Sequence, residues 1–277
     1  MDNRSIGVFD SGLGGLTVVK ELSLLLPKEN IIYFGDTGRV PYGTRSRETI
    51  LKYARQDIDL LASMDVKMII AACGTVSAVM GDSLSKGMDR PCTGVLLPAA
   101  QAAAALSATG RIGVIGTPAT VRSGAYGKAI RSIRPEAKVI GRDCPLFVPL
   151  VENGYIQPDN QITHLVAEQY LSTFANEDID TLILGCTHYP LIRDIIAAHV
   201  GSDVTLIDPG YETAKYAANL LTRSNMLREE GEGSEKYYVS DNPEGFSTVA
   251  AQFLRREVRS DVVKIDPENP AALKGTR

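Results

Sequence analysis

Two cysteines stand in matching contexts in this chain of 277 residues. Cys73 ends the apolar run 67–72 and is followed by Gly74-Thr75; Cys186 ends the run 180–185 and is followed by Thr187-His188. In each context a strand of buried type stops at a thiol. A hydroxyl comes within two residues, and a helical pattern follows. An ordinary thiol has a pKa of about 8.5, so a modest downward shift at a helix N-terminus makes a usable base near neutrality. Two such groups suggest a site with two faces, each carrying one group that takes or gives a proton. Cys92 and Cys144 each adjoin a proline without other chemistry nearby, and read as small buried hydrophobes.

Other residues gather around the same strand ends. His188 lies two positions after Cys186 and could polarise it or the substrate. A metal pair with Cys186 is the rival reading, but no further ligand spacing accompanies it. His164 and His199 read as structural. Glu152 follows an apolar segment, and is either a solvated loop carboxylate or the partner of His188. Asp10-Ser11-Gly12-Leu13-Gly14-Gly15 lies between a strand and a helix, where backbone amides can hold a carboxylate or phosphate. It lacks both the P-loop ending and the dinucleotide spacing. On its own it also fits a tight turn capped by Asp10 or Ser11. Arg39-Val40-Pro41-Tyr42-Gly43-Thr44-Arg45 is an ordered loop by its Pro and Gly. Tyr42 and the Gly43 amide either line a pocket or form a surface loop with an aromatic plug.

The elements that must position these residues alternate. Residues 6–9, 31–34, 68–72, 94–97, 112–115, 138–141, 182–184 and 204–207 read as strands, with a further strand at Tyr237-Tyr238-Val239. Between them, 17–26, 49–64, 161–174, 191–199 and 212–227 carry helical periodicity. This is the pattern of βαβ units with mostly parallel sheets, whose ligands sit beyond the carboxyl ends of the strands. Asp10, Cys73, Thr117 and Cys186 all occupy such ends. The string Ile6-Gly7-Val8-Phe9-Asp10-Ser11 is echoed by Ile112-Gly113-Val114-Ile115-Gly116-Thr117. Its offset of 106 residues is close to the 113 that separate the cysteines. One α/β unit occurring twice explains both. The expected fold class is therefore α/β, with mostly parallel sheets and one unit repeated in two pseudo-symmetric halves. Asn242 and Pro243 read as the cap and first residue of a helix, 228–235 as a solvated loop, and the chain from Pro267 as a frayed tail.

Composition narrows the class. Hydrophobic residues make up 44% and charged residues 22%, and the net charge is −4. A dedicated nucleic-acid binder would be basic. There is neither a run long enough to span a bilayer nor a secretory signal pattern, and the four dispersed cysteines suit a reducing cytoplasm.

Taken together, these motifs resemble bacterial glutamate racemase, in the aspartate/glutamate racemase family. The pieces that carry the resemblance run in order through nearly the whole chain. They are Gly7-Val8-Phe9-Asp10-Ser11-Gly12-Leu13-Gly14-Gly15-Leu16, Tyr33-Phe34-Gly35-Asp36-Thr37 with Pro41-Tyr42-Gly43, and Ala72-Cys73-Gly74-Thr75. Pro145-Leu146-Phe147-Val148-Pro149-Leu150-Val151-Glu152 and Gly185-Cys186-Thr187-His188-Tyr189-Pro190-Leu191 complete the set. Aspartate racemases share the two cysteines but typically lack the Asp-Thr…Pro-Tyr-Gly and His-Tyr-Pro pieces.

The resemblance implies two pseudo-symmetric α/β domains facing each other across a central cleft, the first of residues 1–96 with 209–277 and the second of 97–208. It implies Cys73 and Cys186 as the two acid–base groups, assisted by Asp10 and His188, with Glu152 behind His188. Asp10, Ser11, Tyr42, Gly43, Gly74, Thr75, Thr187 and His188 would surround the amino acid. No pyridoxal phosphate, metal or nucleotide is implied. The product, D-glutamate, would enter peptidoglycan synthesis, in the cytoplasm, with a homodimer as the assembly and no nucleic acid or membrane as partner. One departure stands out: Gly74 replaces the family's usual Asn, and Val76 its usual Ala. Another amino-acid racemase, on aspartate for example, and a regulatory gyrase-binding role are the alternatives.

Overall fold

The computed structural model describes residues 2–258 and 260–269. The chain begins β1 (Ile6–Asp10), α1 (Leu16–Leu25), β2 (Ile31–Gly35), α2 (Arg47–Ser63), β3 (Met68–Ala71), α3 (Gly74–Met80), β4 (Cys92–Gly94) and α4 (Leu96–Leu106). It continues β5 (Arg111–Gly116), α5 (Pro118–Arg122), α6 (Ala125–Ile133), β6 (Lys138–Asp143), α7 (Phe147–Glu152), α8 (Gln161–Leu171), β7 (Thr181–Leu184), α9 (Arg193–Val200) and β8 (Thr205–Ile207). It closes with α10 (Pro209–Arg223), β9 (Glu235–Val239), α11 (Pro243–Leu254) and β10 (Val262–Lys264).

The strands form two parallel sheets, ordered β10-β9-β2-β1-β3-β4 and β6-β5-β7-β8. The duplication expected from the sequence is visible in this order. β2-β1-β3-β4 and β6-β5-β7-β8 are the same arrangement, and Cys73 and Cys186 follow the equivalent strands β3 and β7. In register, Ile6 lies beside Ile31 and Met68, and Ile112 beside Val139 and Thr181. The central strands are buried on both faces, as parallel sheets require. Alternate residues serve different cores. Ile6, Val8, Tyr33 and Ile70 join Leu182 and Leu184 in one apolar cluster that runs through both domains. Phe9, Phe34 and Ile69 face α2 on the other side of the first sheet, while Ile112, Val114 and Ile183 face α4 and α6.

Local signals set the element ends. The Ser46 side chain caps α2 by accepting from the Thr49 amide, Asp208 caps α10 ahead of Pro209, and Asn242 caps α11 ahead of Pro243. One strand reading needs correction. The strand at 94–97 is instead β4 ending at Gly94, and Val95 to Leu97 lead into α4. Pro98 sits in the first turn of α4, where an amide would have no helical partner, and an alanine-rich run follows. Two boundaries also shift. The helix expected at 212–227 starts at Pro209 and ends at Arg223, and that at 191–199 begins as a 3-10 turn at Tyr189. In the chain end read as a tail, Pro267 and Glu268 form a turn and 270–277 lie outside the described residues. No helix among the described residues is long and apolar enough to cross a membrane.

A buried ion pair ties the return of the chain to the first sheet. Lys67, at the entry to β3, is fully buried 2.6 Å from the Glu29 carboxylate. Its ammonium also donates to the carbonyls of Asp2 and Met226, at 2.8 and 2.7 Å. Met226 belongs to the segment between α10 and β9, so one cation joins the amino terminus, the entry to β2 and the crossover. Removing one member of such a pair leaves the other charged and dry. Lys67→Met is therefore expected to lower unfolding free energy by about 3–5 kcal/mol, read as a reduced midpoint in urea. A loss below about 1 kcal/mol would mean that Glu29 finds water or another partner.

Candidate active site

The carboxyl ends of β1, β3, β5 and β7 converge on one cavity of about 340 Å³ between the two sheets. Ser11, Tyr42, Gly43, Cys73, Gly74, Thr75, Glu152, Cys186, Thr187 and His188 all line it. Asp10, the last residue of β1, does not reach the cavity wall and is almost fully buried behind it. Thr117, at the end of β5, lines the cavity too, with Pro118, Pro145, Val148 and Pro149. Thr117 was legible as a strand-end hydroxyl. The prolines carry no chemistry that would have singled them out.

The two cysteines have different surroundings. Cys73 is the cap residue of α3, and its thiol donates to the Ser11 hydroxyl at 3.4 Å. The helix start was expected to lower its pKa. Burial, and then the negative charge of Asp10, instead push it up to about 12. Asp10 is raised as well, by burial first, against the pull of the His188 charge and of amides at Gly12 and Gly15. One oxygen of Asp10 accepts from the Gly12 amide at 2.9 Å. The other, Oδ1, has no hydrogen-bond partner.

Cys186 is followed not directly by an α-helix but by a turn and the short 3-10 segment Tyr189–Ile192. The segment is pinned from below, where Tyr189 donates to the Cys144 carbonyl at 2.9 Å and meets the edge of Phe147. This holds the His188 ring with Nδ1 3.8 Å from Cys186 Sγ and 3.4 Å from the Thr187 hydroxyl. Its Nε2 lies 3.0 Å from Glu152 Oε1, at the end of α7. Burial opposes a charged ring here. The hydrogen bonds to Cys186 and Glu152 outweigh it, and His188 is raised to about 10. The ring is thus an imidazolium at neutral pH, with one N–H for the carboxylate and one for the sulfur. Phe253 of α11 packs edge-on against it at 5.2 Å. Of the two readings of Glu152, the geometry favours the partner of His188 over the solvated carboxylate, although its side chain remains 41% exposed.

Three glycines stand at close contacts between the domains. A Cβ at Gly14 would stand 2.2 Å from the Thr187 hydroxyl, and one at Gly43 2.9 Å from Thr117. A Cβ at Gly74 would stand 2.4 Å from the carbonyl oxygen of Gly185. Between these contacts the Thr75 and Thr117 hydroxyls meet at 3.0 Å, and the Ala119 amide donates to the Gly43 carbonyl at 3.3 Å. His164 and His199 do not line the cavity and bond each other at 3.0 Å. Among the described residues, no three His, Cys, Asp or Glu side chains are grouped to hold a metal ion.

Comparison with known proteins identifies the family. The profile of the family described as Asp/Glu/Hydantoin racemase matches residues 14–217. The chain belongs to that family. It is 47% identical over 266 residues to the glutamate racemase of Geobacter metallireducens, covering 96% of this chain and 97% of that one. The glutamate racemase of Francisella tularensis, solved with D-glutamate, superposes with a TM-score of 0.90 at 41% identity, covering 97% of this chain and all of that one. A glutamate racemase isoform of Bacillus anthracis superposes at 0.91 with 35% identity, covering 96% and 98%.

At Gly74 the two domains meet backbone to backbone, which locates the consequence of placing a side chain there. The obstacle to a side chain is the backbone of Gly185, not the neighbouring Val76, which is buried in the core beneath. Gly74→Ala is expected to hold the cleft open and to lower kcat/KM for racemisation about tenfold or more, in line with an overpacking cost of about 1–3 kcal/mol. Gly74→Asn should behave alike, and adding Val76→Ala should not rescue it. Steady-state kinetics of the three variants check this. Unchanged kinetics in Gly74→Ala would show that the cleft does not need this approach.

Proposed function

We propose that this protein interconverts L- and D-glutamate by a two-base mechanism without a cofactor, and supplies D-glutamate for peptidoglycan. The carrying observation is that Cys73 and Cys186, from equivalent strand ends of two like domains, open on the same cavity with different supports behind them. The relatives named glutamate racemase support the choice of substrate.

Racemisation removes the α-proton from one face of the amino acid and returns a proton to the other. In one direction Cys186 acts as thiolate base, and the imidazolium of His188 stabilises its charge at 3.8 Å. Cys73, kept as a thiol by burial and by Asp10, delivers its proton to the opposite face. The inverted product leaves with the proton that was on Cys73, and the α-proton stays on Cys186. In the other direction the roles exchange, and Asp10, with its unpartnered Oδ1, assists removal of the Cys73 proton. No cofactor delocalises the carbanion in this scheme, so fixed donors around the carboxylate must stabilise it. Ser11, Thr75 and Thr187 are the hydroxyls placed for that, and Tyr42 and Gly43 bound the side-chain end. Residues 1–96 with 209–277 and residues 97–208 act as the two domains. The membership of β1–β4, β9 and β10 in one sheet and β5–β8 in the other supports that division. A cytoplasmic homodimer completes the reading.

Incubation of pure protein with L-glutamate in deuterated water, with L-aspartate in parallel, tests it by chiral analysis. D-glutamate carrying deuterium at the α-carbon is expected without added cofactor. Cys73→Ala and Cys186→Ala are each expected to abolish it. Substantial racemisation in either variant, or inversion of aspartate alone, would overturn the reading.

His188 gives a pH signature. Its Glu152 partner favours the charged ring, so removing that charge must lower the pKa from about 10. If catalysis uses the imidazolium, the alkaline fall in kcat/KM should move to lower pH in Glu152→Gln. An alkaline limb that stays in place would separate His188 from the proton transfers.

A further inference from the structure

Behind the loop that walls the cavity lies a buried acidic pair outside the machinery described so far. Asp36, just after β2, and Asp57, on α2, are both fully buried, and the Tyr42 hydroxyl stands between them. Tyr42 bonds Asp36 Oδ2 and lies 3.1 Å from Asp57 Oδ2. Arg39 spans the same pair. Its Nε donates to Asp36 Oδ2 at 2.6 Å and its Nη2 to Asp57 Oδ1 at 2.9 Å, while Nη1 reaches Gln56. The guanidinium stacks 4.3 Å over the Tyr53 ring, and Glu268 approaches only the far side of Gln56. The remaining nearby charge is Asp10, whose carbonyl accepts from the Asp36 amide at 3.0 Å.

Counting protons decides the chemistry. A phenol has one O–H, yet two carboxylate oxygens lie within hydrogen-bond reach of it. With both carboxylates ionised, the contact between Tyr42 and Asp57 would join two acceptors in a dry site and leave one negative charge without a cation. We infer that Asp57 is a neutral carboxylic acid that donates to Tyr42, so that Tyr42 donates to Asp36 and the loop 40–44 is locked against the cavity as a positioning device for substrate. The relay then runs Asp57–OH to Tyr42–OH to Asp36, whose charge is matched by Arg39. Asp36 accepts from both Arg39 and Tyr42 at Oδ2, while its Oδ1 is buried without a partner. Burial, followed by the charge of Asp36, holds the Asp57 carboxyl well above the ordinary range, in agreement with the geometry. The loop it secures supplies Val40, Pro41, Tyr42, Gly43 and Thr44 to the cavity wall. Asp57 touches no reacting atom and acts through Tyr42.

The role in positioning rests on the glutamate reading, whereas the protonation state does not. Two measurements keep them apart. An infrared difference spectrum between wild type and D57N at neutral pH should contain the carbonyl band of a protonated carboxyl, whatever the enzyme's substrate. In kinetics, D57A should raise KM for glutamate about tenfold, as loss of a buried hydrogen bond does, with a smaller effect on kcat. D57N, whose amide can donate to Tyr42 and accept from Arg39, should restore KM to near the wild-type value. D36N, which removes the charge opposite Arg39, should not. If D57A fails to fold, the contrast of D57N with D36N and the infrared band still decide. Equal damage from D57N and D36N, or absence of the protonated band, would show Asp57 to be ionised and overturn the inference. A band without any KM effect would overturn the positioning role alone.

Discussion

Two backbones meet in this cleft with no side chain between them, and the rest of the site depends on that approach. Gly14, Gly43 and Gly74 stand where a Cβ would strike Thr187, Thr117 or the Gly185 carbonyl. Packing of this closeness excludes water and brings strand ends from two separate sheets to a single small cavity. It also makes the site sensitive to sub-ångström changes, because close-packed interfaces do not deform continuously. The resemblance read from the sequence implies an Asn where Gly74 stands. Here the space its Cβ would need is held by the opposite domain.

Symmetry of topology coexists with asymmetry of charge. The order of β2-β1-β3-β4 is repeated in β6-β5-β7-β8, and the cysteines occupy equivalent ends. The groups behind them are not equivalent. A buried carboxylate with a free oxygen stands behind Cys73, and an imidazolium braced by Glu152 stands beside Cys186. In the proposed two-base mechanism one proton is shared between the two thiols, and unequal surroundings would decide where it rests before substrate arrives. The electrostatics thus break a symmetry that the backbone preserves, without displacing either sulfur from its strand end.

The walls of the cavity are rigid for identifiable reasons. The Tyr189–Cys144 hydrogen bond and the Phe147 edge contact hold the segment that carries His188. On the opposite side, Asp36, Arg39, Tyr42 and Asp57 hold the loop 40–44 that walls the cavity. Both supports are hydrogen-bonded polar groups in a largely dry interior, where a hydrogen bond is stronger than in water, although Asp36 Oδ1 has no partner. Rigid positioning suits a reaction with no cofactor, since the carbanion must be met by donors already in place.

Much of this was legible in the chain itself. Apolar runs of four to six residues alternating with helical periods identify parallel α/β units, and the matching strings at Ile6 and Ile112 disclose the duplication. Thiols and hydroxyls at strand ends could be named because parallel sheets gather their ligands there. Tertiary structure decided what depends on distance and burial. Cys73 sits at a helix start, which by itself lowers a thiol pKa, but its burial beside Asp10 reverses the sign. Glu152 and His188 are 36 residues apart, so only the packing of α7 against the turn after β7 could pair them. The misread strand at 94–97 arose because a short apolar run has no period to distinguish strand from helix start. Asp57 left one trace, an acidic residue on the apolar face of α2 with Ile50, Ala54, Ile58 and Leu61. Its partners come from a loop some twenty residues away. Local pattern sets which face of an element is buried, whereas the partner a buried charge meets is set by the fold.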